Sequence, residues 1–366
     1  MAPAFSSSRQ AAAFALLLAV LLALPALVAR TGWLKRRDVY PTIPTKYGPF
    51  SWIQRQIFIE TNDVDIAFLG SSHIWNGVDT PFVQKQLSER LGREAAVFTL
   101  GWPWPGYDAM YVIAADLLEH RRVRMLVIYD EHRSADTPHL HSSRWFRIGE
   151  NTAVLAGLPF TGQAALYGGA VLGMPRHLLS LVRSNRLEDP AHCPTSSWNT
   201  FYRAPNFAEQ LGALRARIAF NYLPDFSPYQ PPSAATPADV VVYSADTRGA
   251  FTFTGPPTPP YQRHFARKLA QLCREHGTRL VVLHLPELHE RKQATIPERE
   301  LWPEVWSAPV DIVGIPGAKL FAGIPAADLP KLFYDPVHMN QNGQELFTRL
   351  ITPALLKLYD ASPKSF

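Results

Sequence analysis

Four short apolar runs recur along the chain: VDIAFLG at 64–70, AAVFTLG at 95–101, RMLVIYD at 124–130 and RLVVLHLP at 279–286. Each has strand length and none alternates apolar with polar residues, so each strand must be covered on both faces. The intervening segments supply that cover. PFVQKQLSERLG at 81–92 opens on Pro81 and stops at Gly92, YDAMYVIAADLLEH at 107–120 spaces its apolar residues by three and four, and YQRHFARKLAQLCREHG at 261–277 is amphipathic and stops at Gly277. This alternation predicts an α/β protein, a three-layer α/β/α sandwich around a mainly parallel central sheet. Ligands of such sheets bind beyond the carboxyl ends of the strands. The first run ends there, on Gly70-Ser71-Ser72-His73.

The rhythm fails between about 139 and 260, where YLPDFSPYQPPSAATPAD and GPPTPPY cannot sit inside regular elements. The sequence therefore predicts one domain over 63–362 with an insertion at about 139–260, folded over one end of the sheet. With 366 residues, 47% of them hydrophobic and 18% charged, the chain can bury a large core. Its net charge of +5 comes from scattered Lys and Arg, with no basic stripe interleaved with aromatics, so nucleic acid is not the expected partner. The only cysteines, Cys193 and Cys273, have no metal-ligand spacing; they can pair in an oxidising compartment or stay as two buried thiols. No metal site and no cofactor is expected. His284, inside the last apolar run, reads as a hydrogen-bonded core residue.

The N-terminus carries AAAFALLLAVLLALPALVA at 11–29, uncharged for 19 positions. At about 1.5 Å rise per residue this run approaches the roughly 30 Å of a bilayer core. An uncleaved transmembrane anchor over residues 1–30 is the expectation, a cleaved signal peptide the competing reading, and residues 31–62, with Pro41, Pro44 and Pro49, read as a juxtamembrane connector. Arg9 precedes the run while Arg30, Lys35, Arg36 and Arg37 follow it, so charge counting alone favours a cytoplasmic body. The chemistry expected below calls for the other side.

That chemistry begins with LFYDPVHMNQNGQELF at 332–347, where Asp335 and His338 lie three apart in a proline-containing turn, ahead of a helix that Asn340 or Asn342 can cap. A serine nucleophile needs a base to take its proton, and the base needs a carboxylate to fix its tautomer. Ser72, His338 and Asp335 supply the three roles. An α/β-hydrolase would instead carry its serine in Gly-x-Ser-x-Gly, with acid and histidine far apart. Here the serine follows the first sheet strand and the acid stands beside the base. Asp130, Glu131 and His132, at the end of the third run, are candidates to line the cleft.

Gly70-Ser71-Ser72 after an apolar strand, with Asp335-Pro336-Val337-His338 before the terminal helix, resembles the SGNH (GDSL-like) hydrolase superfamily. Within it, the chain is most similar to the membrane-anchored branch that includes the alginate O-acetylation proteins and the teichoic-acid D-alanine transfer protein. The likeness covers about 64–135 and 262–360 and leaves out the insertion. It implies the SGNH/flavodoxin-like version of the sandwich, with Ser72 as nucleophile and Ser71 at the position usually held by Asp. It implies oxyanion donors at the Ser72 amide and at a glycine after the second strand, Gly101 or Gly106, with Gly101 preferred. The Asn that typical members place after the third strand is missing from VIYDEHRSAD at 127–136, which fits the acetylation branch better than an ordinary esterase.

The implied function is a membrane-anchored serine esterase or O-acyltransferase acting on acyl groups, acetyl above all, of extracytoplasmic polysaccharide. Its implied partners are the polysaccharide or its acyl donor and a membrane-bound O-acyltransferase. Trp102, Trp104 and His73 are the candidate substrate contacts, the tryptophans as a stacking wall for a sugar ring. The alternative is a non-catalytic SGNH-like component that binds glycan or partner. A lipase or thioesterase, a third reading, would need an apolar acyl channel near Ser72.

Overall fold

The computed structural model describes residues 5–31, 35–43, 50–102, 104–129, 137–139, 141–142, 157–182, 228–255, 257–299, 306 and 310–362. Its centre is a six-stranded sheet in the order β2-β1-β3-β6-β8-β4. The strands are β1 Val64–Gly70, β2 Val97–Gly101, β3 Val123–Tyr129, β4 Val241–Val242, β6 Arg279–Leu283 and β8 Asp311–Gly314. All pair in parallel except β4, which lies antiparallel to β8 at one edge. A second, two-stranded parallel sheet joins β5 Phe251–Phe253 to β7 Ile296–Glu298.

Adjacent residues in the central strands feed opposite cores, as the pleat requires. On one face Ala67, Leu69, Leu126, Ile128, Val282 and Ile312 pack with α3 Phe50–Phe58, α6 Tyr107–His120 and α8 Pro260–Glu275. On the other, Ile66, Phe68, Val127, Val281, Leu283 and Val313 pack with α4 Ser72–Gly77, α5 Thr80–Leu91 and the terminal helix α10 Gln341–Asp360. Each fully buried Val, Leu, Ile or Phe contributes about 1.5–3 kcal/mol relative to exposure, which is why the strands are apolar on both sides. The expected three layers are present.

The expected stop signals act as chemistry demands. Gly92 takes φ 65° and donates to Ser88 O, closing α5, while the Asp79 side chain accepts from Phe82 N at its start. The chain leaves β1 through α4 and α5 on one face and returns to β3 through α6 on the other, so the connections from neighbouring strands diverge at the carboxyl end of β1. A sheet opens a crevice at such a point.

Two expectations about the N-terminus change. The apolar run forms α1 Ser8–Thr31, which packs along α7 Phe160–Val182. Among the described residues no helix is long and apolar enough to cross a membrane, so the expected transmembrane anchor is not found there; its 19 uncharged positions stand at the short end of the roughly 20 that a spanning helix needs. The segment read as a connector holds α2 Arg36–Val39 and α3, and Tyr40, Ile43, Trp52, Ile53 and Ile57 are buried. Tyr40 donates to the buried Asp116 at 2.7 Å, bolting this segment to α6.

Of the expected insertion, residues 140, 143–156, 183–227 and 256 lie outside the described ones, and the described remainder adds α7, β4 and β5. Tyr229 N donates to Asn342 Oδ1 at the start of the terminal helix, and Ser233 Oγ and Ala234 N donate to Leu320 O, at the end of α9 Gly317–Leu320, and to Ala322 O.

Candidate active site

β1 delivers Ser72 to the crevice. Gly70 ends the strand in register with Gly101, Ser71 turns the chain with φ −76° and ψ −171°, and α4 starts at Ser72. The first amide bonded within α4 is that of Trp75, to Ser71 O at 3.2 Å; those before it in the turn have no intrahelical partner. A Cβ on Gly101 would lie 3.0 Å from Trp75 Cβ and 3.1 Å from Trp75 Cγ. Only a bare backbone lets α4 rest so closely on β2, and this fixes the depth of Ser72. The Ser71 side chain does not cap α4, and its Oγ is buried without a hydrogen-bond partner among the described residues.

His338 arrives from the other end of the chain on a tight hairpin. Phe333 and Met339 form an antiparallel bridge, with Tyr334 N donating to His338 O and Asn340 N to Leu332 O. Leu288, in the loop after β6, donates its N–H to Pro336 O and holds the tip. Asn340 caps α10, its Oδ1 accepting from the amides of Asn342 and Gly343. Its Nδ2 donates to Lys331 O at 2.8 Å, so one side chain joins both arms of the hairpin to the helix.

Within the hairpin, Asp335 divides its work. Oδ1 accepts from the amides of Val337 and His338, both at 2.8 Å, and so builds the turn. Oδ2 lies 2.8 Å from His338 Nδ1, and His338 Nε2 lies 2.9 Å from Ser72 Oγ. Ser72 and His338 are buried, and Asp335 is half-buried. Burial pushes the Asp335 carboxyl up, but the hydrogen bond and charge of His338 and the two amides outweigh it and hold it below its ordinary value. Asp335 is therefore a carboxylate at neutral pH. A carboxylate only accepts, so the proton of a neutral His338 sits on Nδ1 and leaves the Nε2 lone pair facing Ser72.

The other sequence candidates fall in different places. His73 is adjacent to the Ser72–His338 pair, its ring stacked 4.7 Å from that of His338. Trp102 is fully buried in the core beneath α6, so its ring is not open to a sugar; an aromatic next to the strand end fills space that loop composition alone did not reveal. Trp104 is half-buried at φ 68°, edge-on to His141. Gly106 precedes α6 and a Cβ there would meet Asp108 Oδ1 at 2.7 Å and His139 Cβ at 3.1 Å, so its bareness serves the approach of His139 to α6. Asp130, Glu131 and His132 lie outside the described residues, as does Cys193; Cys273 is buried in the core.

Two groups at this edge were not singled out in the sequence. Tyr129, the last residue of β3, stacks on His73, and Glu287, in the loop after β6, places Oε1 3.7 Å from His73 Nε2. Both follow the rule that side chains at or beyond the carboxyl ends of parallel strands meet at the crevice. An open cleft of about 710 Å³, lined by Asp65, Arg93 and Arg124 among others, lies at the start of β1, away from these groups. Among the described residues no three His, Cys, Asp or Glu side chains are grouped to hold a metal ion.

Fold and site together define an α/β protein with a serine–histidine–aspartate chain at the topological switch of a parallel sheet. Comparison with models of protein families, with curated proteins and with solved structures finds no match.

Proposed function

We propose that the protein is a serine-dependent esterase or O-acyltransferase. The observation that carries this reading is the unbroken chain Ser72 Oγ to His338 Nε2 at 2.9 Å and His338 Nδ1 to Asp335 Oδ2 at 2.8 Å, assembled from residues 266 positions apart. Ser72 Oγ attacks an acyl carbonyl carbon while His338 Nε2 takes the hydroxyl proton. The tetrahedral intermediate collapses, the alcohol leaves with the proton from His338, and the acyl group stays on Ser72. Water or a second hydroxyl then gives its proton to His338 and removes the acyl group. Asp335 orients the imidazole and stabilises its cation throughout.

The oxyanion would be met by backbone amides where α4 starts, that of Ser72 first, with Gly101 as the second donor, since its backbone is in register with Gly70. Each such donor is worth about 2.7–4 kcal/mol in the transition state. The Gly-Ser-Ser and Asp-x-x-His turns, like those of the membrane-anchored SGNH branch, support a polysaccharide acyl ester as substrate, an extracytoplasmic site of action and a membrane-bound O-acyltransferase as partner.

A fluorophosphonate probe tests the reading directly. The folded protein is expected to be labelled at Ser72, and Ser72→Ala to lose the label. A folded protein that takes no label would favour the non-catalytic glycan- or partner-binding role. Where labelling occurs, hydrolysis of acetyl against long-chain esters separates this reading from a lipase or thioesterase.

A further inference from the structure

His338 is held by its two nitrogens alone within the triad. Bonds from Nε2 to Ser72 and from Nδ1 to Asp335 both lie in the ring plane, so they define an axis about which tipping must be resisted by contacts on the ring faces. Tipping turns the Nε2 lone pair away from the Ser72 hydroxyl, and hydrogen bonds weaken steeply as their angle falls toward about 120°.

A second imidazole lies against the face that would tip. His73, the residue after Ser72, stacks on His338 with centroids 4.7 Å apart and planes 20° apart, and on Tyr129 from its other side at 4.7 Å and 23°. The three rings form one column, Tyr129–His73–His338, with the end of β3 behind it. Glu287, 3% exposed, sets its Oε1 3.7 Å from His73 Nε2, and its Oε2 lies 3.1 Å from Nδ1 of His289. The next residue, Leu288, donates its N–H to Pro336 O inside the His338 hairpin. One loop therefore faces the edge of His73 and supports the turn that carries His338.

We propose that His73 is a positioning residue, which keeps the His338 imidazole from tipping and so keeps its lone pair on the Ser72 hydroxyl. The proposal rests on Ser72 being the nucleophile. What the position requires is a flat ring between Tyr129 and His338. The hydrogen-bonding capacity of His73 and its reach toward substrate are secondary.

The test uses the full chain, with fluorophosphonate labelling of Ser72 and hydrolysis of p-nitrophenyl acetate as readouts and thermal melts to confirm folding. His73→Ala is expected to cut both the labelling rate and kcat by about ten-fold or more, since small misplacements of a reacting group cost factors of that size. KM should stay within about two-fold, because no substrate contact is removed. His73→Phe keeps a flat ring and is expected to recover most of both rates. Labelling of His73→Ala at the wild-type rate would overturn the proposal. So would a raised KM without rescue by phenylalanine, which marks a substrate-binding histidine. Should His73→Ala fail to fold, His73→Phe decides alone: near wild-type rates support the stack, and a folded but inactive variant overturns it. A wild type that takes no label fails at the earlier step, the assignment of Ser72, and removes the ground of this proposal with it.

Discussion

At the scale of single residues, Asp335 and Gly101 carry the sharpest consequences. Asp335 accepts at His338 Nδ1 and so holds the proton there; Asp335→Asn, which offers an amide in place of the carboxylate, is therefore expected to favour the wrong tautomer. A loss of up to about 10,000-fold in kcat follows from that change when geometry is otherwise kept. Ester hydrolysis measured beside a near-UV spectrum of the folded variant checks it. The same carboxylate links stability to pH. Its folded pKa lies below the ordinary 3.8, so its contribution is present above that value and is lost as the pH falls through the folded pKa. Gly101→Ala acts by contact, since a Cβ 3.0 Å from Trp75 Cβ must push α4 off β2. Overpacking of this kind costs about 1–3 kcal/mol. Because Ser72 opens the displaced helix, the labelling rate should fall in variants that still melt cooperatively.

At the scale of elements, the hairpin before the terminal helix depends on Asn340. Its Oδ1 accepts from two helix amides and its Nδ2 donates to Lys331 O, so Asn340→Ala is expected to destabilise the protein by about 1–2 kcal/mol, read as a lower urea midpoint at unchanged slope. This element was legible because its signals are local: Asn340 before a helical pattern, and Asp335 three residues from His338 around a turn. The parallel strands were legible for a similar reason, since a run such as VDIAFLG has no face fit for water. Elements that owe their form to distant partners were not. Tyr40 and Trp52 sit among prolines that suggest a connector, yet their burial is decided by α6 and β2; Tyr40 donates to Asp116 and Trp52 Nε1 to Thr99 O. The two-residue strand β4 exists only because β8 offers an open edge. The triad followed from residue types and order, whereas the ring column beside it did not, since the partners of His73 come from β3 and from the turn at 338.

At the scale of the whole molecule, the two sheets are joined through a buried charge cluster. His284, directly after β6, sets Nε2 2.8 Å from Glu290 Oε2 and Nδ1 3.4 Å from Glu298 Oε1, and Glu298 belongs to β7 of the smaller sheet. The expected core histidine is thus a joint. Burial alone would push its pKa down, but the two carboxylates reverse this and raise it to about 10. A group raised above its unfolded value of 6.5 contributes fully below that pH, and the contribution is lost as the pH rises toward 10. Across that window the folded chain holds one proton more than the unfolded chain, so stability should fall by about 1.4 kcal/mol per pH unit from this group. Above about 9 the Cys273 thiol, pushed up by burial, adds a slope of the same sign, which leaves pH 6.5–9 as the diagnostic range. Urea unfolding measured across it should show a falling midpoint in the wild type and a flatter one in His284→Gln, which keeps hydrogen-bonding capacity but carries no titrating proton. That variant should also be weaker near neutral pH, by about 3–5 kcal/mol, because it leaves two buried carboxylates without their cation. Equal slopes in the two proteins would mean that the joint is held neutral and that the sheets are coupled by packing alone.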